Sequence, residues 1–444
     1  MRNLMLKEVK KSAEEYEVYL QNTEINEIHI QKNKIGFIDK TIDSGYGIRV
    51  HDGSIGFSSS NIFSDFSIKQ TIKDALKSSR MTQKVDFNFP APKKFSEVKN
   101  IDKSIKNNGE AAVKNYTDQI LESVPADILI SFGKIRTYDS QIQIINSEGL
   151  DLTREETNFM LELSIIVEKA GKKVEFWPHE YRRRMEDLPV PNLTQWINIA
   201  RNQLIAETPR TEITTVIFSP NTVLDGLGSV ISSHSTGAAK VNLVSKFSPG
   251  EKVASENLTV ISDGLYPYGL MTSEFDDEGV PQRKNILIDN GVFKDYVYDQ
   301  YYAIKDKRES TGNGLRQGDV FYSFDTKYGG MPSNRISNFY VEPGKKTLQE
   351  LIEEVKHGVL VEHFSWLSPD PTSGNFSSEI RVGYYIDNGQ ISKPIKGGLV
   401  AGNFFELMKN ISGISNRSVI TSGGTVLAGV CPYVRFENVQ VAGK

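Results

Sequence analysis

The histidines are the first side chains to test for metal chemistry. His234 follows Ser232 and Ser233 and precedes Ser235, so it lies in a polar stretch. A protein zinc site needs three or four imidazole, thiolate or carboxylate ligands. A single imidazole does not supply that set. The leading expectation for His234 is therefore a structural role, and a place in a binding cleft is the alternative.

The densest group of carboxylates is Asp276, Asp277 and Glu278, followed by Gly279. Carboxylate oxygens in a turn are ligands that Mg²⁺ or Ca²⁺ prefers. Such side chains also accept backbone N–H bonds in an acidic loop, with the glycine at positive φ. The loop is the first expectation. A metal hydrolase that uses these carboxylates together with His234 is kept as an alternative.

A glycine-rich polar string, Ser-Thr-Gly-Asn-Gly, occupies 310–314. Its backbone amides could cradle a phosphate, but the string lacks the lysine of a P-loop. A tight polar turn is the first expectation. The alternative is a cleft wall to which Ser310, Thr311 and Asn313 contribute.

Apolar spacing and turn residues predict the elements that position these groups. Helices are expected at about 67–79, 110–123 and 193–207, and strand patterns occur at 17–21, 27–31, 34–38 and 47–51. In the second half, Ile-Asp-Asn-Gly marks two hairpin turns, at 288–291 and 386–389. Thr347 and Glu350 form a capping box that opens a helix, and this helix is expected to carry His357 in its last turn before Gly358.

These elements predict an α+β protein of two domains. Residues 1–208 form an N-terminal domain of strands and helices, and 209–444 form a β-rich α+β domain. Pro209 breaks the preceding helical pattern and marks the boundary. Ser219 and Pro220 are suited to start a further helix that runs to about Ser233.

The composition restricts the class of protein. The 444 residues include 52 basic and 56 acidic side chains, for a net charge of −4. A nucleic-acid binder usually carries a basic excess, so direct nucleic-acid binding is not expected. Apolar runs fall short of the roughly 18 residues of a membrane span. With Cys431 as the only cysteine, a reducing, cytoplasmic compartment is the simplest expectation.

Seven strings in the second half, in this order and spacing, resemble the TldD/PmbA family of zinc-dependent peptidases, their inactive homologues and "modulators of DNA gyrase". The strings are ASENLTV at 254–260, FDDEGVP at 275–281, LIDNGV at 287–292, ESTGNG at 309–314, VEPG at 341–344, IDNG at 386–389 and VAGN at 400–403.

The resemblance also indicates a branch. TldD-type members carry His-Glu-x-x-x-His on an early helix of the C-terminal domain and a later cysteine ligand. Aligned without gaps, the motif's His, Glu and His fall on Gly228, Ser229 and Ser233, and the late position falls near Ser422 or Gly423. These residues are not zinc ligands, so the chain resembles the TldE (PmbA) branch. No catalytic residue and no metal are expected in it.

The resemblance implies a non-catalytic subunit. It would pair with a TldD-type zinc peptidase, which would hold the zinc, and help to bind peptide substrates. The alternatives are a stand-alone regulatory or binding protein of the gyrase-modulator type, and an active peptidase with a non-standard metal site.

A hydrophobic stretch, Phe404, Phe405, Leu407 and Met408, follows the last of the seven strings. A subunit that pairs needs an apolar patch. We therefore expect this stretch to contribute to dimerisation, with a homodimer as one form of the isolated chain.

Overall fold

Long antiparallel strands build the N-terminal half of the computed structural model, which describes residues 2–317, 326–423 and 428–444. The sheet order is β3-β2-β1-β4-β5-β6, and β7 also pairs with β5. The strands are β1 (Glu15–Gln31), β2 (Lys34–His51), β3 (Ile55–Ser60), β4 (Ile128–Asn146), β5 (Asp151–Lys169), β6 (Lys172–Phe176) and β7 (His179–Arg182). The short strand patterns of the sequence therefore merge into β1 and β2, which a two-residue turn at positive φ connects at Lys32 and Asn33.

Four helices accompany this sheet within the described residues: α1 (Arg2–Ser12), α2 (Asp65–Ser79), α3 (Lys103–Glu122) and α4 (Asn192–Gln203). The three predicted helices are confirmed, but α3 begins earlier than expected. The side chain of Asp102 accepts a hydrogen bond from the Ser104 amide and so caps an additional first turn. The non-helical backbone of Asn108 separates that turn from the predicted helix.

The C-terminal half contains a sheet that closes on itself. Its order is β15-β8-β22-β18-β16-β17, and the additional pairing of β15 with β16 completes a barrel. Strand β19 pairs with β22. The strands are β8 (Glu212–Phe218), β15 (His357–Phe364), β16 (Asn375–Asp387), β17 (Gln390–Ile395), β18 (Leu399–Asn403), β19 (Ile411–Ile414) and β22 (Val434–Ala442).

A second sheet packs beside this barrel in the order β11-β10-β9-β14-β21-β20. Its strands are β9 (Val260–Asp263), β10 (Lys284–Asp289), β11 (Val292–Phe293), β14 (Phe339–Val341), β20 (Val419–Thr421) and β21 (Gly429–Cys431); β12 (Gly314–Leu315) and β13 (Ser333–Asn334) form a separate pair. Both Ile-Asp-Asn-Gly strings form hairpin turns as predicted, with positive φ at each Asn and each Gly. The α+β class is thereby confirmed.

Short helices connect the C-terminal strands: α5 (Pro220–Val223), α6 (Ser229–His234), α7 (Gly237–Val241), α8 (Gln300–Lys305), α9 (Leu348–Glu353) and α10 (Phe404–Leu407). A π-helical turn, Leu224–Gly228, joins α5 to α6. In the described residues, no helix is both long and apolar enough to cross a membrane.

The expectation that His357 lies in a helix is wrong. The capping box of Thr347 and Glu350 is present, but α9 ends at Glu353. His357 instead begins β15, where its ring contacts the carboxylates of Glu212 at 2.9 Å and Asp387 at 3.1 Å. The continuous buried apolar run that follows it, residues 358–361, is typical of a strand buried on both faces and pairs parallel to β8. This pairing prevents the helix from continuing.

The stretch 404–408 packs inside the C-terminal core. Phe404 and Met408 are fully buried and Leu407 nearly so, while Phe405 packs partly buried against the same cluster. The ring of Phe404 lies against Phe376 with centroids 4.5 Å apart. This stretch is therefore not an exposed patch for a partner, and the expectation of dimerisation through it is corrected.

A buried ionic network joins the two halves. Arg49 on β2 binds Glu17 on β1 and Glu278 of the C-terminal half, each at 2.7 Å, and all three side chains are at most 2% exposed. Arg316 of the C-terminal half reaches back to Glu17 at 2.6 Å. Removal of one member from such a network leaves a charge in the interior without its partner, which costs more than the contact itself contributes.

We therefore predict that Arg49→Met strongly destabilises the protein. The free energy of unfolding should fall by about 3–5 kcal/mol, because Glu278 loses its guanidinium partner. The measurement is urea unfolding followed by circular dichroism. The control is Arg2→Ala, which removes an exposed pair with Asp151 and should cost about 0–1 kcal/mol. Equal losses for the two variants would contradict the prediction.

Candidate functional site

The helical segment that follows β8 carries the first wall of the site. Pro220 occupies its first position, which suits a residue without an N–H donor. The hydroxyl of Ser219 donates to the Glu362 carbonyl at 2.7 Å and fixes the segment to β15. At the π-helical turn, a side chain at Gly226 would meet the ring of Phe404 at 2.2 Å, so only glycine allows this approach.

A cavity of about 400 Å³ opens beside the start of this segment. Its wall comes from four parts of the chain: strand β7, the helical segment, the end of β15 with the residues that follow it, and the residues after β20. The lining residues are His179, Tyr181, Asn221, Thr222, Asp225, His363, Phe364, Ser365, Trp366, Leu367, Ser422 and Gly423.

A larger cavity, of about 890 Å³, shares Asn221 and His363 with the first. It extends along 180–196 of the N-terminal half and along 347–349, 415–420 and Tyr433 of the C-terminal half. We call the two cavities together the interdomain groove. Their combined size is suited to an extended peptide rather than to an ion or a water molecule.

Glu362 projects from an irregularity in β15. Val361 pairs with Gly383 and His363 pairs with Val382, so Glu362 is the additional residue of a β-bulge. Bulges re-aim a side chain and are common beside active sites. Glu362 also follows the last residue at which β15 pairs with its parallel neighbour β8.

The environment of Glu362 favours the protonated carboxyl group. Burial raises its pKa to about 7, although a hydrogen bond from the Tyr433 hydroxyl acts in the opposite direction. That hydroxyl donates to the two carboxyl oxygens at 3.3 and 3.2 Å. Near neutral pH the group therefore exchanges its proton readily, as a binding or acid–base residue must.

His363 is the neighbouring titratable residue of the groove. Burial lowers its pKa; Glu180 raises the pKa by a smaller amount, and Arg381 lowers it further. Its ring lies 5.5 Å from that of Phe176, centroid to centroid. His363 is thus expected to be neutral at pH 7, so it does not compensate the charge of an ionised Glu362.

The motif positions Gly228, Ser229 and Ser233 do not line the 400 Å³ cavity, which contains Ser422 and Gly423. Gly228 is buried, and a side chain there would meet Leu224 at 3.1 Å and Phe339 at 3.4 Å. The Ser233 hydroxyl donates to the carbonyl of Ser229 at 2.9 Å. The helix residues that share the cavity with Ser422 are Asn221, Thr222 and Asp225, at the start of the segment.

His234 has a structural environment. It is 2% exposed, one ring nitrogen contacts the Pro371 carbonyl at 2.7 Å, and the other accepts from the Lys246 amide at 3.1 Å. Both nitrogens are therefore engaged with the backbone, and the ring lacks a free position for a ligand.

The acidic residues 276–278 also lie in the interior. Asp276 accepts the amides of Glu278, Val280 and Gly314 at 2.8–3.0 Å. Gly279 has a φ of 84°, as expected for the acidic loop. Arg154 binds Asp277 at 2.5 Å. Burial alone would raise the pKa of Asp277, but Arg154, Lys327 and Arg316 lower it.

The string 310–314 forms a tight polar turn. Thr311 donates to Asn313 at 2.8 Å, and the Asn313 amide donates to the Arg335 carbonyl at 2.8 Å. Ser310 donates to the Tyr298 carbonyl at 3.1 Å. A side chain at Gly312 would meet the Pro281 carbonyl at 2.4 Å. None of the predicted cleft residues, at 234, 276–278, 310, 311 and 313, lines either cavity of the groove.

The donor chemistry does not fit a zinc ion at either candidate place. At the motif positions, Gly228 has no side chain that could bind a metal, and Ser229 and Ser233 supply only hydroxyl groups. The 400 Å³ cavity contains Asp225 and the imidazoles of His179 and His363 among neutral oxygens, but these three side chains are not grouped as a ligand set. Across 2–317, 326–423 and 428–444, no three His, Cys, Asp or Glu side chains are grouped to hold a metal. No reaction step through zinc is derived for this chain.

Sequence reasoning missed the groove residues Asn221, Asp225, Glu362, His363 and Tyr433. The sequence feature that could have identified Glu362 is its position as an acidic residue directly after the apolar run 358–361. The sequence alone does not reveal the bulge that turns it towards the groove.

We predict that Gly228→His destabilises the fold without creating a metal site. The imidazole would overpack the space against Leu224 and Phe339, at a cost of about 1–3 kcal/mol. Thermal unfolding and zinc titration measure the two effects. Ser233→Ala, on the same helix, should change the stability by less than about 0.5 kcal/mol. A stable histidine variant that binds zinc would overturn this interpretation of the helix.

We also predict that Glu362→Gln changes how stability depends on pH. The folded pKa of Glu362 lies above its unfolded value, so its contribution is fully present below about pH 4 and lost as the pH rises through about 7. The variant should gain about 1–3 kcal/mol relative to the wild type between about pH 5 and pH 8. Unfolding titrations at both pH values measure this difference. A parallel pH dependence of the two proteins would contradict it.

Two sequence profiles match the chain. The profile of the PmbA/TldA metallopeptidase C-terminal domain matches residues 211–443, and the profile of PmbA/TldA metallopeptidase domain 1 matches 16–79.

Individual proteins extend this similarity. An uncharacterised protein of Methanocaldococcus jannaschii is 25% identical over 430 residues, which cover 95% of this chain and 96% of that protein. A metalloprotease TldD homologue of Buchnera aphidicola is 34% identical over 207 residues, but these cover only 44% of this chain and 40% of the homologue.

The crystal structure of TldE from Thermococcus kodakarensis superposes with a TM-score of 0.86 at 25% identity, over 100% of both chains. Since the C-terminal profile alone covers more than half of the residues, the chain belongs to the PmbA/TldA metallopeptidase family, which is the TldD/PmbA family that the seven strings resemble.

Proposed function

We propose that this chain is a non-catalytic, TldE-type subunit that pairs with a TldD-type zinc peptidase in the cytoplasm and contributes a peptide-binding groove. The observation that carries the proposal is the similarity to TldE along the whole chain, combined with side chains at the motif positions that do not bind zinc. The zinc and the general base would then belong to the partner.

The interdomain groove supports the binding part of the proposal. Strand β20 is the edge of its sheet, and Val419 and Ile420 line the larger cavity. An extended peptide can add to such an edge through main-chain hydrogen bonds, which give affinity for many sequences. Asn221 lines both cavities of the groove, and its side-chain amide can bind a further backbone group of the peptide.

The alternative of an active peptidase at a non-standard site has little support. Its candidate residues, Asp276, Asp277 and Glu278, are at most 1% exposed, and arginine side chains or backbone amides occupy their oxygens. Substrate would have to displace the network that joins the two halves.

Co-expression with a TldD-type peptidase tests the proposal. The two proteins should elute together in size-exclusion chromatography, and the complex should contain zinc and hydrolyse peptides. This chain alone should bind no stoichiometric zinc and should not hydrolyse peptides, because it supplies no ligand set.

The control is a complex whose TldD-type partner carries glutamine in place of the motif glutamate. This complex should still form and should be inactive. Separate elution of the two chains would favour a stand-alone binding protein, and peptide hydrolysis by this chain alone would overturn the non-catalytic assignment.

A further inference from the structure

The carboxyl group of Glu362 lacks a cationic partner in the described part of the chain. Its side-chain contacts are the two hydrogen bonds from Tyr433, a neutral donor. A desolvated carboxylate is normally paired with a cation or with several donors. This one faces the larger cavity of the groove, so a ligand can reach it.

Other charged groups of the groove already have partners or lie at its rim. Glu180 binds Arg182 at 2.8 Å, and Asp187 binds Arg184 at 2.5 Å. Arg417 is exposed beside β20, and burial lowers the pKa of His363. Tyr433 and Tyr384, whose phenols have raised pKa values mainly because of burial, remain neutral. Among the carboxylates of the larger cavity, Glu362 is therefore the one that can accept a new cation.

We propose that Glu362 forms a subsite of the interdomain groove that binds a cationic group of a peptide, such as a lysine side chain or a free α-amine. A protonated amine would supply the charged donor that Tyr433 cannot. The nearby edge of β20 would hold the peptide backbone, so the groove would select cationic residues at one position of a peptide that it otherwise accepts without sequence preference.

This inference deepens the peptide-binding part of the proposed function and does not depend on the zinc-bearing partner. It also explains why a glutamate stands where a neutral residue would be more stable. Binding groups are commonly retained at a cost in folding stability.

The test is calorimetric titration of the full-length chain with three short peptides. Acetyl-Ala-Lys-Ala-amide carries the side-chain cation, and acetyl-Ala-norleucine-Ala-amide is its uncharged match. The unblocked Ala-norleucine-Ala-amide carries only the α-amine. It is measured at about pH 7, since an α-amino group loses its proton near pH 8.

At about pH 8 the lysine peptide should bind about tenfold more tightly than the blocked norleucine peptide, as a charge-assisted hydrogen bond would provide. Its affinity should fall about tenfold between pH 8 and pH 6, because ligand binding requires the ionised carboxylate. Near pH 7, binding should release protons, detected as a dependence of the heat on the buffer.

Glu362→Gln should abolish both the lysine preference and the pH dependence. Glu406→Gln, which removes the same charge on an exposed surface where it pairs with Lys409, should retain both. Tyr433→Phe provides a second variant that keeps the carboxylate. It should retain the lysine preference and move the pH midpoint upwards, because the tyrosine hydrogen bond lowers the pKa of Glu362.

Equal affinity for the lysine and blocked norleucine peptides, or a lysine preference that survives in Glu362→Gln, would overturn the subsite. Stronger binding of the α-amine peptide than of the lysine peptide would support the subsite and assign it to a peptide amino terminus. If no peptide binds this chain but the complex with a TldD-type peptidase forms and is active, the subsite is refuted and the proposed pairing with a zinc peptidase stands.

Discussion

The pairing of arginines and carboxylates across the two halves is the constraint on which the rest of the structure depends. Arg49 and Arg154 come from the N-terminal sheet, and each binds a carboxylate of the loop 276–278. Arg316 of the C-terminal half binds Glu17 of the N-terminal sheet. Buried charges tolerate little displacement because each must keep its partner. The network therefore fixes the distance and orientation of the two halves, and with them the width of the groove between them.

The groove uses this fixed geometry. Strand β7 of the N-terminal half lies opposite β20, and the Tyr181 amide donates to the Ser422 hydroxyl at 3.4 Å. The carboxyl ends of β8 and β15 lie between β7 and β20. There, Ser219 begins the helical segment and Glu362 projects from the bulge. Tyr181, Glu362 and Ile420 are consequently held by strands, an arrangement that limits the entropy lost when a peptide binds.

Local patterns predicted much of the fold but little of the site. The capping box at Thr347, the Asn-Gly hairpins and the acidic loop before Gly279 depend on residues close in sequence, and all three are present. The prediction that His357 lies in a helix was wrong, because pairing of its strand with the distant strand β8 determines its conformation. The groove residues come from segments more than 100 residues apart, such as Tyr181 and Ser422, and no local pattern brings such segments together.

The π-helical turn shows why the motif register did not coincide with the cavity. A straight α-helix advances about 100° per residue, so one additional residue in a turn rotates everything after it by that angle. The turn at Leu224–Gly228 introduces such a rotation, and Gly226 accommodates it by close packing on Phe404. Gly228 at the end of the turn and Ser229 directly after it then pack into the core. The residues before it remain at the groove, held there by the bond from Ser219 to β15. The barrel strand β15 therefore positions this wall of the groove through its bond to Ser219.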